Sequence, residues 1–124
     1  MKFMLLIWNN PQSWDAIPPS EQQMLAGDAV AEHAALDAAL IDSGELVVSA
    51  GLADPVTTRI VRIRDGVVVS TDGPYAEAKE HLVGYYLVDC VSLDRASEIA
   101  ARIPDARWDR VEIRAAMDIA GLEM

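Results

Sequence analysis

Residues 72–80 read DGPYAEAKE, a stretch that gathers four charged side chains, Asp72, Glu77, Lys79 and Glu80, around the phenol of Tyr75. Pro74 fixes its own φ and keeps Gly73 out of the right-handed helical region, so Asp72-Gly73 makes a turn from which Pro74 opens a short helix. On that helix Tyr75 lies one turn from Lys79 and Glu77 one turn from His81, a phenol beside an ammonium and a carboxylate beside an imidazole. Such pairs suffice for acid-base chemistry. They serve equally as a capped connector with solvated charges, in which Asp72 bonds nearby backbone amides.

The other proton carrier is His33, whose imidazole ordinarily titrates nearest neutral pH. At 100° per residue, Leu25, Ala29, Leu36 and Leu40 form one helical stripe with Glu32 near its centre and His33 at its margin. A carboxylate on that stripe needs a partner, or else a small rotation of the helix returns it to water. His33 reads either as a half-buried structural histidine or as a catalytic one. In the strands, alternation sets Glu112 and Arg114 on one face of RVEIRAAM, and Tyr85, Leu87 and Asp89 on one face of GYYLVDC. These charges suit cross-strand ion pairs, or the lining of a subunit interface or small polar cavity.

The elements that must position these residues follow from periodicity and turn chemistry. Residues 2–8 are a compact apolar run stopped by Asn9-Asn10-Pro11, which suits a buried first strand, followed by a loop to Pro19. Ser20 and Gln23 match a capping box, so a long helix is expected over about 21–42 with Gly44 as its stop. A short strand follows with an irregularity at Gly51, then a hairpin turning at Asp65-Gly66. GYYLVDCV is another strand, Ser92 caps a second helix to about Arg102, and RVEIRAAM closes the chain. The order is an α+β pattern, βαββ(β)βαβ, resembling a ferredoxin-like antiparallel sheet with two helices on one face. The opposite sheet face then needs a cover, and a second copy of the chain is the simplest.

At 124 residues and 52% apolar content, the chain is expected to form a single domain, 1–124, with one core. A net charge of −10 repels phosphate backbones and anionic membranes, so nucleic acid and membrane are not expected partners. The opening run lacks a signal-peptide cleavage site, no apolar run is long enough to span a bilayer, and Cys90 is the only cysteine; a cytoplasmic location is expected, with Cys90 in the core. There is no zinc-ligand spacing, no glycine-rich phosphate loop and no GxSxG elbow, so neither metal nor cofactor is expected.

DGPYAEAKE followed by GYYLVD resembles the signature of the DGPF-domain branch of the YCII-related family. KFMLLI, GELVVSAGL and VEIR extend the likeness over nearly the whole chain. The resemblance implies a dimeric α/β barrel in which two sheets meet, with a cavity between sheet and helices, in a family whose members largely lack an assigned reaction. Its signature falls on Asp72, Gly73, Pro74, Glu77, Lys79 and Glu80; Tyr75 stands at the usual phenylalanine, Ala78 at a usual threonine, and Ala115 where Arg-Pro is common. Because YCII proteins are associated with a histidine-aspartate proton-transfer pair, the resemblance implies Asp72 as a general base with His33 as its partner. Tyr75, Glu77, Lys79, Glu80 and Arg114 are then the ligand-binding candidates. The expected function is binding of a small organic acid by a homodimer, with lyase- or isomerase-type proton transfer. The alternative is a non-catalytic regulatory or structural dimer module, linked to sigma-factor signalling.

Overall fold

In the first strand, β1 (Lys2–Asn9), alternate side chains Phe3, Leu5 and Ile7 are buried while Met4, Leu6 and Trp8 turn to the other side, as a two-residue repeat demands of a sheet packed mainly on one face. The computed structural model describes residues 1–74 and 79–117. After β1 come α1 (Pro11–Asp15), α2 (Pro19–Ser43), β2 (Leu46–Gly51), a 3-10 turn (Pro55–Thr57), β3 (Arg59–Arg64) and β4 (Val67–Asp72). The chain continues through β5 (His81–Asp89), α3 (Leu93–Ala101), a second 3-10 turn (Pro104–Arg107) and β6 (Arg110–Ala115).

The main sheet has the order β2-β5-β1-β6 with antiparallel neighbours, and helices pack on one side, which is the ferredoxin-like arrangement. The core lies between this sheet and the helices: Phe3, Leu5, Ile7, Tyr86 and Val88 from the strands meet Leu36 and Leu40 of α2 and Ala96, Ile99 and Ala100 of α3. Cys90 is buried among them, as a small hydrophobe.

Local signals act largely as the sequence suggests. Gly44 ends α2 in the left-handed region at φ 78°, and Glu45 N–H closes back on Leu40 C=O at 2.9 Å. Asp65 and Gly66, at φ 51° and 77°, supply the two positive angles of a tight hairpin turn. The Ser92 hydroxyl accepts from Arg95 N–H at 3.0 Å and caps α3.

Four readings need correction. The residues after β1 are not all loop: Asn10 caps the short α1 through Gln12 N–H at 3.0 Å. The Ser20/Gln23 box is not used, because Pro19 already suits the first helical position; Pro18 C=O takes the Glu21 and Gln22 N–H groups at 2.9 and 3.0 Å. The hairpin β3-β4 does not extend the main sheet but forms a sheet of its own. The sheet irregularity expected near Gly51 falls instead between Leu46 and Val48. Glu32 takes the rotated, solvent-side position, paired with Arg107 at 2.9 Å.

Candidate functional site

His33 and Asp37 are four residues apart on α2, so both project from one side of the helix toward the sheet. Facing them, β5 presents Tyr86 on its core side, and Ser49 of β2 stands opposite Tyr86 in the ladder. Asp105 enters from the turn Pro104–Arg107, anchored by the buried Ile103 and Pro104. Two elements, β5 and the Pro104–Arg107 turn, thus reach the imidazole carried by α2, and β2 reaches its neighbour Asp37.

The contacts form a chain. Asp105 Oδ1 lies 3.2 Å from His33 Nε2, and His33 Nδ1 lies 2.6 Å from the Tyr86 hydroxyl, with the two rings nearly parallel at 15° and their centroids 5.9 Å apart. The Asp37 carboxylate lies near enough to the Tyr86 phenol for its charge to act on it, and it accepts from Ser49 Oγ at 3.3 Å. Burial, then the negative charge of Asp37 and of Asp105, push the phenol well above the usual tyrosine range, so it remains a protonated donor at any physiological pH.

Donor bookkeeping gives this chain two self-consistent states. With His33 neutral, Nε2–H donates to Asp105 and Nδ1 accepts from the Tyr86 hydroxyl. With His33 protonated, Nδ1–H donates to the Tyr86 oxygen, and the phenol proton is free to rotate toward the nearby Asp37 carboxylate. One proton can therefore be stored on the imidazole without leaving a buried polar atom unpaired.

The chain borders a cavity of about 310 Å³ lined by Ile7, His33, Asp37, Ser49, Ala50, Gly51, Val83, Gly84, Tyr86 and Asp105. Its room comes from small residues on adjacent strands: a Cβ on Gly51 would meet nothing within 4 Å. Gly84 is different, since its Cβ would sit 3.0 Å from the Ala50 carbonyl. Among the described residues no cluster of three histidine, cysteine, aspartate or glutamate side chains could hold a metal ion, and no described helix is long and apolar enough to cross a membrane.

Of the residues singled out in the sequence, His33 lies at this cavity. Asp72 ends β4 on the separate hairpin, exposed and opposite Arg59, and is not among the cavity-lining residues. Gly73 there approaches β3 so closely that a Cβ would lie 3.0 Å from the Thr58 side chain, and its N–H bonds Thr58 C=O at 2.8 Å. Tyr75 and Glu77 fall outside the described residues, as does most of the helix expected after Pro74; Lys79 and Glu80 belong to no helix. Lys79 is exposed. Glu80 pairs with Arg110, whose guanidinium holds the carboxyl below its usual range and itself rests 5.7 Å over the Trp8 ring. Arg114 stands opposite Met4 on the sheet face away from the helices.

Tyr86, Asp37, Ser49 and Asp105 were not anticipated. Alternation alone sets Tyr86 on the buried face of β5, where a hydroxyl needs a partner, and the 33/37 spacing on α2 offers one. Asp105 leaves no such trace, because its contact to His33 spans 72 residues.

A model of the YCII-related domain family matches residues 1–120. The chain is also similar to an uncharacterized protein, R00369, of Rhizobium meliloti (strain 1021), at 30% identity over 106 residues, which cover 86% of this chain and 82% of the relative.

Proposed function

The chain belongs to the YCII-related domain family, and from that premise we propose that it works as a homodimer that moves a proton on a small ligand held between α2 and the sheet, with His33 as the proton carrier. The observation that supports this best is the 2.6 Å contact between His33 Nδ1 and the Tyr86 hydroxyl, continued through Nε2 to Asp105. An imidazole held at both nitrogens has a fixed ring orientation, and the chain supplies a partner for every proton position.

The cavity also defines what it accepts. At about 310 Å³ it suits a ligand of few heavy atoms. Tyr86 and Ser49 offer hydroxyls to a carbonyl or hydroxyl group, while Asp37 and Asp105 repel a buried anion. A small organic acid of lyase or isomerase chemistry therefore fits with its carbonyl end inward and its carboxylate toward solvent, where a partner copy's side chains meet it. In this reading Asp72 takes part only if the second copy carries its hairpin to the cavity.

Deuterium incorporation tests the proposal whatever the final product of the reaction. The protein is incubated in D2O with a panel of enolisable 2-oxo acids, hydroxy acids and lactones, and exchange at carbon is followed by NMR. The wild type should accelerate exchange of at least one compound, His33→Gln should lower that rate by ~10²–10⁴-fold, and Gly51→Leu should abolish it by filling the cavity. Buffer-level exchange throughout the panel, or equal rates in His33→Gln, would overturn the proposal; saturable binding without exchange would favour a non-catalytic module. Asp72→Asn, run alongside, removes the hairpin corner from any active role if its rate is unchanged.

A further inference from the structure

On the far side of His33 and Asp105 lies a second recess, of about 330 Å³, and we propose that it binds a small organic ammonium ion. Its walls are the indoles of Trp14 on α1 and Trp108 after the Pro104–Arg107 turn, the carboxylate of Asp105, and the side chain of Asn9 at the end of β1. The two indole rings meet edge to face, with centroids 5.6 Å apart and planes at 63°. Asn9 Oδ1 is buried with no hydrogen-bond partner among the described residues. With almost no accessible surface of its own, that atom lies behind the recess wall, so the indoles and the carboxylate are what an occupant meets.

The chemistry of the walls selects the charge of the occupant. Indole faces attract cations through the ring quadrupole, and a carboxylate attracts them directly. No lysine or arginine is among the described lining residues, and His33, which lines the recess as well, admits a cation beside it in its neutral state. Arg107 already rests 5.8 Å over the Trp108 ring with Glu32 at 2.9 Å from its guanidinium, so Trp108 is engaged by the chain's own cation and Trp14 is the indole left to an ammonium ion. An anion would meet Asp105 and gain nothing from the rings. The net charge of −10 adds a long-range pull on cations.

Asp105 belongs to both walls: it holds His33 Nε2 from one side and faces the recess from the other. An ammonium ion drawing on that carboxylate would therefore be sensed at the imidazole. Binding itself needs no reaction in the neighbouring cavity, so failure of proton transfer and failure of ammonium binding are separate results.

Choline and its neutral carbon isostere, 3,3-dimethylbutan-1-ol, are the probes, titrated into the full chain while tryptophan fluorescence and the indole N–H and His33 ring NMR signals are recorded. Choline should give a saturable change at the Trp14 and Trp108 indoles and at His33, and the alcohol should bind at least ~10-fold more weakly, the factor expected of a cation-π contact. Trp14→Leu, on a five-residue surface helix, and Asp105→Asn should each weaken choline by about tenfold. Absence of saturation, equal affinity for the alcohol, or unchanged choline affinity in both variants would overturn the site. The isostere comparison requires no variant to fold.

Discussion

Arg95 grips both oxygens of Glu45, Nε to Oε2 at 2.9 Å and Nη2 to Oε1 at 2.8 Å, tying α3 to the residue just before β2. This forked bond holds the Glu45 carboxyl at about 2, against an ordinary 4.5, overcoming the opposing effect of burial. A depressed folded-state carboxyl stabilises the fold fully above its unfolded value and loses that contribution as pH falls through the folded one. Glu45→Gln should therefore cost about 1–2 kcal/mol at pH 7, after allowance for solvent screening of the partly exposed Arg95. In urea melts at stepped pH the gap between wild type and variant should close between about pH 4.5 and pH 2. A constant gap across that window would show that the pair contributes only shape. At this scale the sequence exposes residue types and not partners. His33 was legible as a proton carrier because imidazole chemistry is local, whereas its bonds to Tyr86 and Asp105 cross 53 and 72 residues and depend on the closed fold.

Elements were more legible, because their signals are local: alternation in β1 and β5, the Asp65-Gly66 turn, Ser92 at the start of α3 and Gly44 at the end of α2 each act within a few residues. What alternation does not encode is which strand a strand pairs with, and β3 and β4 accordingly left the main sheet for a sheet of their own. The start of α2 shows two local signals in competition, Pro19 and the Ser20 box, with the preset φ of proline prevailing. Asp72 was singled out from a motif at an element boundary, and the boundary is what the motif specifies most directly: the close passage of Gly73 over Thr58 and Ile60. The cavity is likewise a property of paired elements. β5 lies against β2 closely enough at Gly84 that a methyl group would press on the Ala50 carbonyl at 3.0 Å, with Ile7 Cδ1 at 3.4 Å on the other side. Because the obstacle is backbone in a hydrogen-bonded strand, Gly84→Ala should cost about 1–3 kcal/mol. It should also speed amide exchange in β2 relative to β6, measured by hydrogen-exchange NMR. Wild-type stability would mean that β2 can move aside, and with it the Ser49 edge of the cavity.

For the whole molecule the open question is surface. The sheet face opposite the helices carries Met4, Leu6, Tyr85 and Leu87, with Val48 41% exposed beside them. On the hairpin, Val61, Ile63 and Val68 share one face at 61%, 72% and 66% exposure. A two-stranded hairpin is marginal alone in water, and apolar side chains concentrated on one of its faces call for a cover. The proposed second copy offers one, its own sheet face and hairpin being complementary by symmetry. Ile63 and Val68 are direct cross-strand neighbours outside the core, so Ile63→Lys with Val68→Glu removes the apolar pair while leaving an attractive charge pair in its place. Sedimentation velocity should find the wild type at two chain masses and this double variant at one, with the circular dichroism of the main sheet retained. A wild type that sediments as single chains at micromolar concentration would remove the dimer and, with it, any part for Asp72 in the cavity, while leaving the contacts of His33, Tyr86 and Asp105 intact within each chain.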